Sequence, residues 1–242
     1  MRFYEDFTEC AYRGIVETAV GRNPLFYEDI DGNDDFMLWR HDVDISLDRS
    51  LALAKIEAEL QMPSTYFILV NSAFYNAFEA RSINIVKKIM RLGHRIGLHF
   101  DPGVYSIHSS SDLESYLKFE KHILETLYET RITVFSFHNP TLEILNYDDY
   151  YYCDMINAYA RYFKDNVHYC SDSNGYWRYE RLVDFLAKNH RKSQVLTHPA
   201  WWQKAAASPR ARIQRCIDGR AVSVAKEYDT LLRIHGRENV GA

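Results

Sequence analysis

Phe36-Met37-Leu38-Trp39-Arg40-His41-Asp42-Val43-Asp44 is an apolar run that ends in an arginine, a histidine and two acids, and a helix-like segment from residue 46 to about 60 follows it. The run reads as a buried strand. Two carboxylates at its exit are unfavourable unless a metal or a proton transfer uses them. Four later strand-like runs also end in polar residues: Gly97-Leu98-His99-Phe100-Asp101, Phe135-Ser136-Phe137-His138-Asn139, Tyr169-Cys170-Ser171-Asp172 and Val195-Leu196-Thr197-His198-Pro199. Five such endings point to one shared site.

The candidate strands, 36–40, 65–70, 95–100, 133–138, 167–171 and 194–197, recur at roughly 30 residues, the size of one βα unit. They are short, rich in Val, Ile, Phe and Tyr, and mostly not alternating, as parallel strands covered on both faces are. Amphipathic helices fill the intervals. Leu47, Leu51, Ala54 and Ala58 share one face, Ile83, Val86 and Met90 another, and Gly93 can end that second helix. Ser111-Asp112-Leu113-Glu114 reads as a capping box opening a third helix. Segments 178–189 and 4–20 read as further helices, the latter packed outside or under the sheet. Strict alternation implies a parallel sheet, doubly wound or closed into a barrel, and periodicity alone does not choose between them. In both cases ligands bind at the carboxyl ends of the strands, where the five polar endings lie.

Bulk properties agree with one globular domain over residues 1–242: 47% hydrophobic, 26% charged and a net charge of -4, which gives no electrostatic case for nucleic acid. The basic segment from Lys204 onward reads as a solvated helix face. Cys10, Cys153, Cys170 and Cys216 are scattered without a CxxC pair, which argues against a zinc knuckle or a disulfide framework. No apolar run is long enough for a signal peptide or a membrane span, so the expected location is cytoplasmic. Nucleophile elbow, P-loop and HExxH patterns do not occur.

Asp42 and Asp44, two apart on a strand, project to the same side. One can hold a metal while the other takes a proton from metal-bound water. The competing role for Asp44 is a helix N-cap, for which Ser46 is the rival. His99, His138 and His198 sit at strand ends and supply imidazoles for a metal or for general acid work. Asp101 is a ligand, an orienting group or a turn residue, and Asp172 orients a histidine, binds substrate or forms an Asx-turn. His94, at the opposite end of its strand from His99, reads as structural.

The order Asp42-Val43-Asp44, then Gly93-His94-Arg95-Ile96-Gly97-Leu98-His99, then His138-Asn139-Pro140, then Asp172 with Trp177, then Leu196-Thr197-His198-Pro199 resembles the polysaccharide deacetylase family. These are metal-dependent carbohydrate esterases with a NodB-type domain, and the pattern looks most like a divergent branch associated with surface-polysaccharide biosynthesis. The resemblance spans about 36–202. It implies a distorted, incomplete (β/α) barrel with about six to seven parallel strands, and a divalent metal, expected to be zinc. It also implies hydrolysis of an N-acetyl group on a sugar or glycan intermediate. Carried over by position, Asp42 matches the base, Asp44 and His99 metal ligands, and His198 the general acid. Asp172 and Trp177 fall in the fourth motif, and Trp201 and Trp202 are placed to wall the sugar.

Two positions depart from the family. Gly103 stands where a second metal-binding histidine is usual, and His138 where an arginine is usual. His138 is therefore the expected third ligand, with Asp101 and His108 as the other candidates. Other readings on the same scaffold are a non-catalytic glycan-binding protein and a metal hydrolase acting on another amide or a phosphoester.

Overall fold

The computed structural model describes residues 4–241. At its centre lies β2 (Phe36–Val43), buried along its whole length. Parallel strands flank it on both sides. β3 (Thr65–Leu69), β4 (Arg95–Phe100), β5 (Val134–Phe137) and β7 (Met155–Asn157) follow in one direction, and β10 (Lys192–Thr197) and β8 (His168–Ser173) in the other. Seven parallel strands in the order β7-β5-β4-β3-β2-β10-β8 thus form the expected incomplete barrel. A two-residue strand, β1 (Pro24–Leu25), lies parallel to the start of β2. The rim strands β7 and β8 each pair outward instead of with each other: β7 with antiparallel β6 (Tyr151–Tyr152), β8 with antiparallel β9 (Tyr176–Trp177).

The two-residue period of β2 sorts its side chains. Phe36 and Leu38 join an inner cluster with Phe67, Val134 and Ile156, while Met37 and Trp39 join the outer cluster with Tyr12, Leu53 and Trp202. Arg40 and Asp42 continue the inner row, so an apolar floor gives way to charge near the carboxyl ends. Gly97 is required by this interior: a Cβ there would lie 2.7 Å from the Phe67 ring, its neighbour in register.

The helices wrap the outside. α1 (Glu9–Ala19) and α2 (Leu47–Glu59) open on Thr8 and Ser46, whose side chains accept from backbone N–H groups three residues on. Ser46 is thus the cap and Asp44 is not. α3 (Ala80–Arg91) ends before Gly93, at φ +96°. α4 (Ser110–Tyr128) is capped by Ser109, with Asp112 accepting in return, so the cap lies two residues before the expected Ser111. α5 (Arg161–Asn166) and α6 (Leu182–Ala187) are short, and α7 (Pro209–Ile234) is long and buries only Arg212. Residues 147–162, rich in tyrosine and without a clear period, contribute β6 and β7. Among the described residues no helix is long and apolar enough to cross a membrane.

Candidate metal centre with flanking acid and base

Strand register assembles the site. Leu69 pairs with His99, and His99 with Ser136, so β4 presents His99 between its neighbours. The His99 imidazole contacts the Ser136 hydroxyl through Nδ1 at 2.8 Å, which turns Nε2 toward Asp44 Oδ1, 3.1 Å away. His138 follows β5, and its backbone N–H donates to Phe100 O at 2.7 Å. Its Nδ1 lies 3.2 Å from His99 Nε2 and 3.5 Å from Asp44 Oδ1. Its Nε2 lies 2.9 Å from the side-chain amide of Asn139. The ligand atoms of Asp44, His99 and His138 lie within 4.8 Å of one another.

These residues fit a divalent cation. Asp44 Oδ1 is buried and has no hydrogen-bond partner of good geometry, although two ring nitrogens face it. A buried, unsatisfied carboxylate oxygen among imidazole nitrogens is a ligand set suited to zinc and similar ions, and outer contacts such as Ser136 fix ring orientation. Burial alone would push the Asp44 carboxyl up, but contact with His138 and His99 and the charge of His198 hold it well below the usual range. Contact with Asp44 raises His138 against the effect of burial.

On one side of this triad stands Asp42, its Oδ2 3.8 Å from His99 Nε2. Arg40 grips it in a fork: Nη2 reaches Oδ2 at 2.7 Å and Oδ1 at 3.0 Å, and Nε reaches Oδ1 at 3.2 Å. Burial opposes ionisation of Asp42, and Arg40 outweighs it, so the carboxyl is held below its ordinary value. On the other side His198 Nε2 lies 3.7 Å from Asp44 Oδ2. Its Nδ1 lies 2.5 Å from Asp172 Oδ1, and Asp172 also accepts from the His198 backbone N–H. Burial lowers the imidazole pKa, but the Asp172 charge and hydrogen bond bring it up to about 9. Asp172 therefore orients a histidine and does not form an Asx-turn.

Not every expected residue is at the site. Asp101 accepts from Gly103 N at 2.9 Å and caps a short 3-10 turn, and His108 is exposed. Neither joins the triad, and Gly103 is exposed on that turn. The expected sugar-facing tryptophans pack instead. Trp202 is 0% exposed against Phe7 and Tyr12, and Trp201 is 6% exposed. Trp177 stacks on Phe7 and donates from Nε1 to Asp6. The N-terminal segment covers Trp202 with its own Phe7 and Tyr12, so this ring does not face a sugar.

Two further features support the strand that carries the site. Arg40 is signalled by its i, i+2 spacing from Asp42, which places both on one face. The second is a buried network behind β2. His41 Nε2 lies 2.6 Å from Glu57 Oε1, Tyr66 OH donates to Glu57 Oε2 at 2.5 Å, and His41 Nδ1 lies 2.7 Å from Thr197 Oγ1. It ties the ends of β2 and β10 to α2. His94, contacting Ala54 O at 2.8 Å, is structural as expected.

No protein-family model and no curated protein matches the chain. Among solved structures it is similar to the chitin deacetylase from the fungal pathogen Colletotrichum lindemuthianum: 11% identity, 82% of this chain, 86% of that one, TM-score 0.45. It is also similar to the Xyl-CE4 domain of a multidomain xylanase from the hindgut metagenome of Trinervitermes trinervoides: 11% identity, 84% and 92% covered, TM-score 0.44. A third is a CE4 family pseudoenzyme from Bacillus anthracis: 12% identity, 85% and 65% covered, TM-score 0.42. Likeness this distant assigns no reaction to the chain.

Proposed function

We propose that the protein is a metal-dependent hydrolase that removes an N-acetyl group from a sugar. The carrying observation is the convergence of three groups on one strand-end cluster: a ligand triad of Asp44, His99 and His138, Asp42 paired with Arg40, and His198 paired with Asp172. Metal-assisted amide hydrolysis uses such a set. Asp44, His99 and His138 would hold a divalent cation, which would supply Lewis-acid polarisation of the acyl oxygen and a water of lowered pKa. Asp42 accepts the proton of the attacking water, and Arg40 keeps it ionised in a buried place. His198 delivers the proton from Nε2 to the departing nitrogen, and its partner Asp172 keeps Nδ1 engaged and the ring charged. An acid and a base whose environments push their pKa values apart suit paired roles of proton acceptor and proton donor.

The test is acetate release from N-acetyl sugars, with metal content measured on the same samples. Wild type should bind about one ion per chain, His138→Ala should lose it, and Asp42→Asn should keep it while losing acetate release. Such losses are commonly 10²-fold or more for a general base. Acetate release that persists in Asp42→Asn would refute the role of that residue. A metal-free wild type without hydrolysis would refute the reading altogether.

A further inference from the structure

A pocket of about 300 Å³ begins at Ile45 and Ser46, the two residues that follow Asp44, and is walled by the first turns of α2 and α3 and by α7. It contains none of the metal-centre side chains. Four guanidinium groups line it: Arg49 from α2, Arg81 from α3, and Arg215 and Arg220 from α7. Three acids answer them, with Glu9 2.6 Å from Arg49, Asp48 2.7 Å from Arg81 and Glu79 2.5 Å from Arg220. Four cations against three anions leave one positive charge, and it lies on Arg215, which donates to the neutral side-chain oxygen of Gln203.

The pocket also retains donors. Arg49 engages Nε and Nη2, Arg81 its Nη2 and Arg215 its Nη1, so each has a further nitrogen without an acceptor among the described residues. Guanidinium forks match the oxygens of a phosphate, and charge-assisted contacts of this kind are the strong ones. The N-terminal turn of α2 adds partial positive charge to the same wall. Surface Arg–acid pairs alone contribute little to stability, so clasping helices does not account for four arginines around a cavity. Ile45 and Ser46 on the pocket wall directly follow Asp44 in the chain, so at most ~7 Å of backbone joins the edge of the pocket to that residue.

We infer that this pocket binds a phosphate group carried by the substrate, so that the site acts on a phosphorylated N-acetyl sugar and not on a neutral glycan. The identity of the sugar rests on the deacetylase reading, whereas the affinity of the pocket for phosphate does not. Calorimetric titration of the full chain with inorganic pyrophosphate tests the pocket directly. Wild type and Asp44→Asn should both bind, the latter separating the pocket from any metal held at the triad. Arg215→Gln, folded by circular dichroism, should bind about tenfold or more weakly. Acetate release should favour N-acetylglucosamine 1-phosphate over N-acetylglucosamine in wild type, and Arg215→Gln should lose that preference. Absence of pyrophosphate binding, or equal binding by Arg215→Gln, overturns the pocket. Binding without preference for the phosphorylated sugar overturns the claim that the substrate carries the phosphate. Binding with no acetate release from any N-acetyl sugar upholds the phosphate site and removes the deacetylase assignment.

Discussion

Replacing Arg40 by methionine removes the guanidinium that holds Asp42 while filling much of its volume. Both residues are deeply buried, at 1% and 2% exposure, and the fork between them makes three contacts of 3.2 Å or less. Removing one partner of a buried pair leaves an uncompensated charge and destabilises by ~3–5 kcal/mol. The orphaned carboxyl can relieve this by taking a proton, so the penalty depends on pH. In wild type the folded Asp42 pKa lies below the unfolded one, so its contribution is present above the unfolded value and is lost as pH falls through the folded value. In Arg40→Met the folded pKa lies above the unfolded value of about 3.9, and stability is lost as pH rises through it. The deficit relative to wild type should therefore be small near pH 4 and approach ~3–5 kcal/mol by pH 8. Urea unfolding of both proteins across that range measures it. Arg40→Met/Asp42→Leu should recover most of the loss, since an apolar pair of similar volume replaces a buried ion pair at little cost. A deficit of the same size at every pH, or a double variant as unstable as the single one, would refute the assignment of Arg40 as the counter-charge.

Glu120 makes a prediction of opposite sign to wild-type Asp42. Burial brings its carboxyl up to about 7 although Tyr105 donates to it at 2.6 Å, and its second oxygen has no partner, as a neutral acid permits. Wild-type stability relative to Glu120→Gln should therefore decline by about 3 kcal/mol as pH rises from about 4.5 to 7 and then level off, measured by paired denaturation curves. Asp172→Asn removes the charge that sustains His198, so the alkaline limb of the acetate-release profile should move down from about 9 toward the ordinary histidine range near ~6.5. An unmoved limb would assign that titration to another group. Gly97→Ala places a methyl 2.7 Å from the Phe67 ring, over which Arg40 lies at 4.9 Å, so it should destabilise by ~1–3 kcal/mol in thermal unfolding. Wild-type stability in that variant would show that the barrel interior yields at this point.

What could be read along the chain was local and periodic. Short β-branched and aromatic runs at βα spacing specify parallel strands, because a strand covered on both faces must be apolar throughout. Polar residues at their ends therefore had to cluster, and Asp44, His99 and His138 are brought together in that way. The Ser109 cap, the short β7 and the buried tryptophans were not legible. A cap is chosen among neighbouring serines by backbone geometry, and a three-residue rim strand is held by its partner more than by its own pattern. Which aromatic face stays open depends on what packs over it, and Phe7 and Tyr12 come from the far N-terminus.

The sequence by itself determined the strand rhythm, the end of the sheet that holds the site, and the residue types available there, since side-chain alternation and βα connection follow from backbone geometry alone. Only the tertiary structure decided the partners. Strand register placed Ser136 beside His99 and Thr197 beside His41, and the inner face of β2 set Arg40 against Asp42. The placement of α7 across a pocket from α2 and α3 gathered four arginines from distant segments around it. Those choices bring together residues as far apart in the chain as Arg49 and Arg220, and no local pattern encodes them.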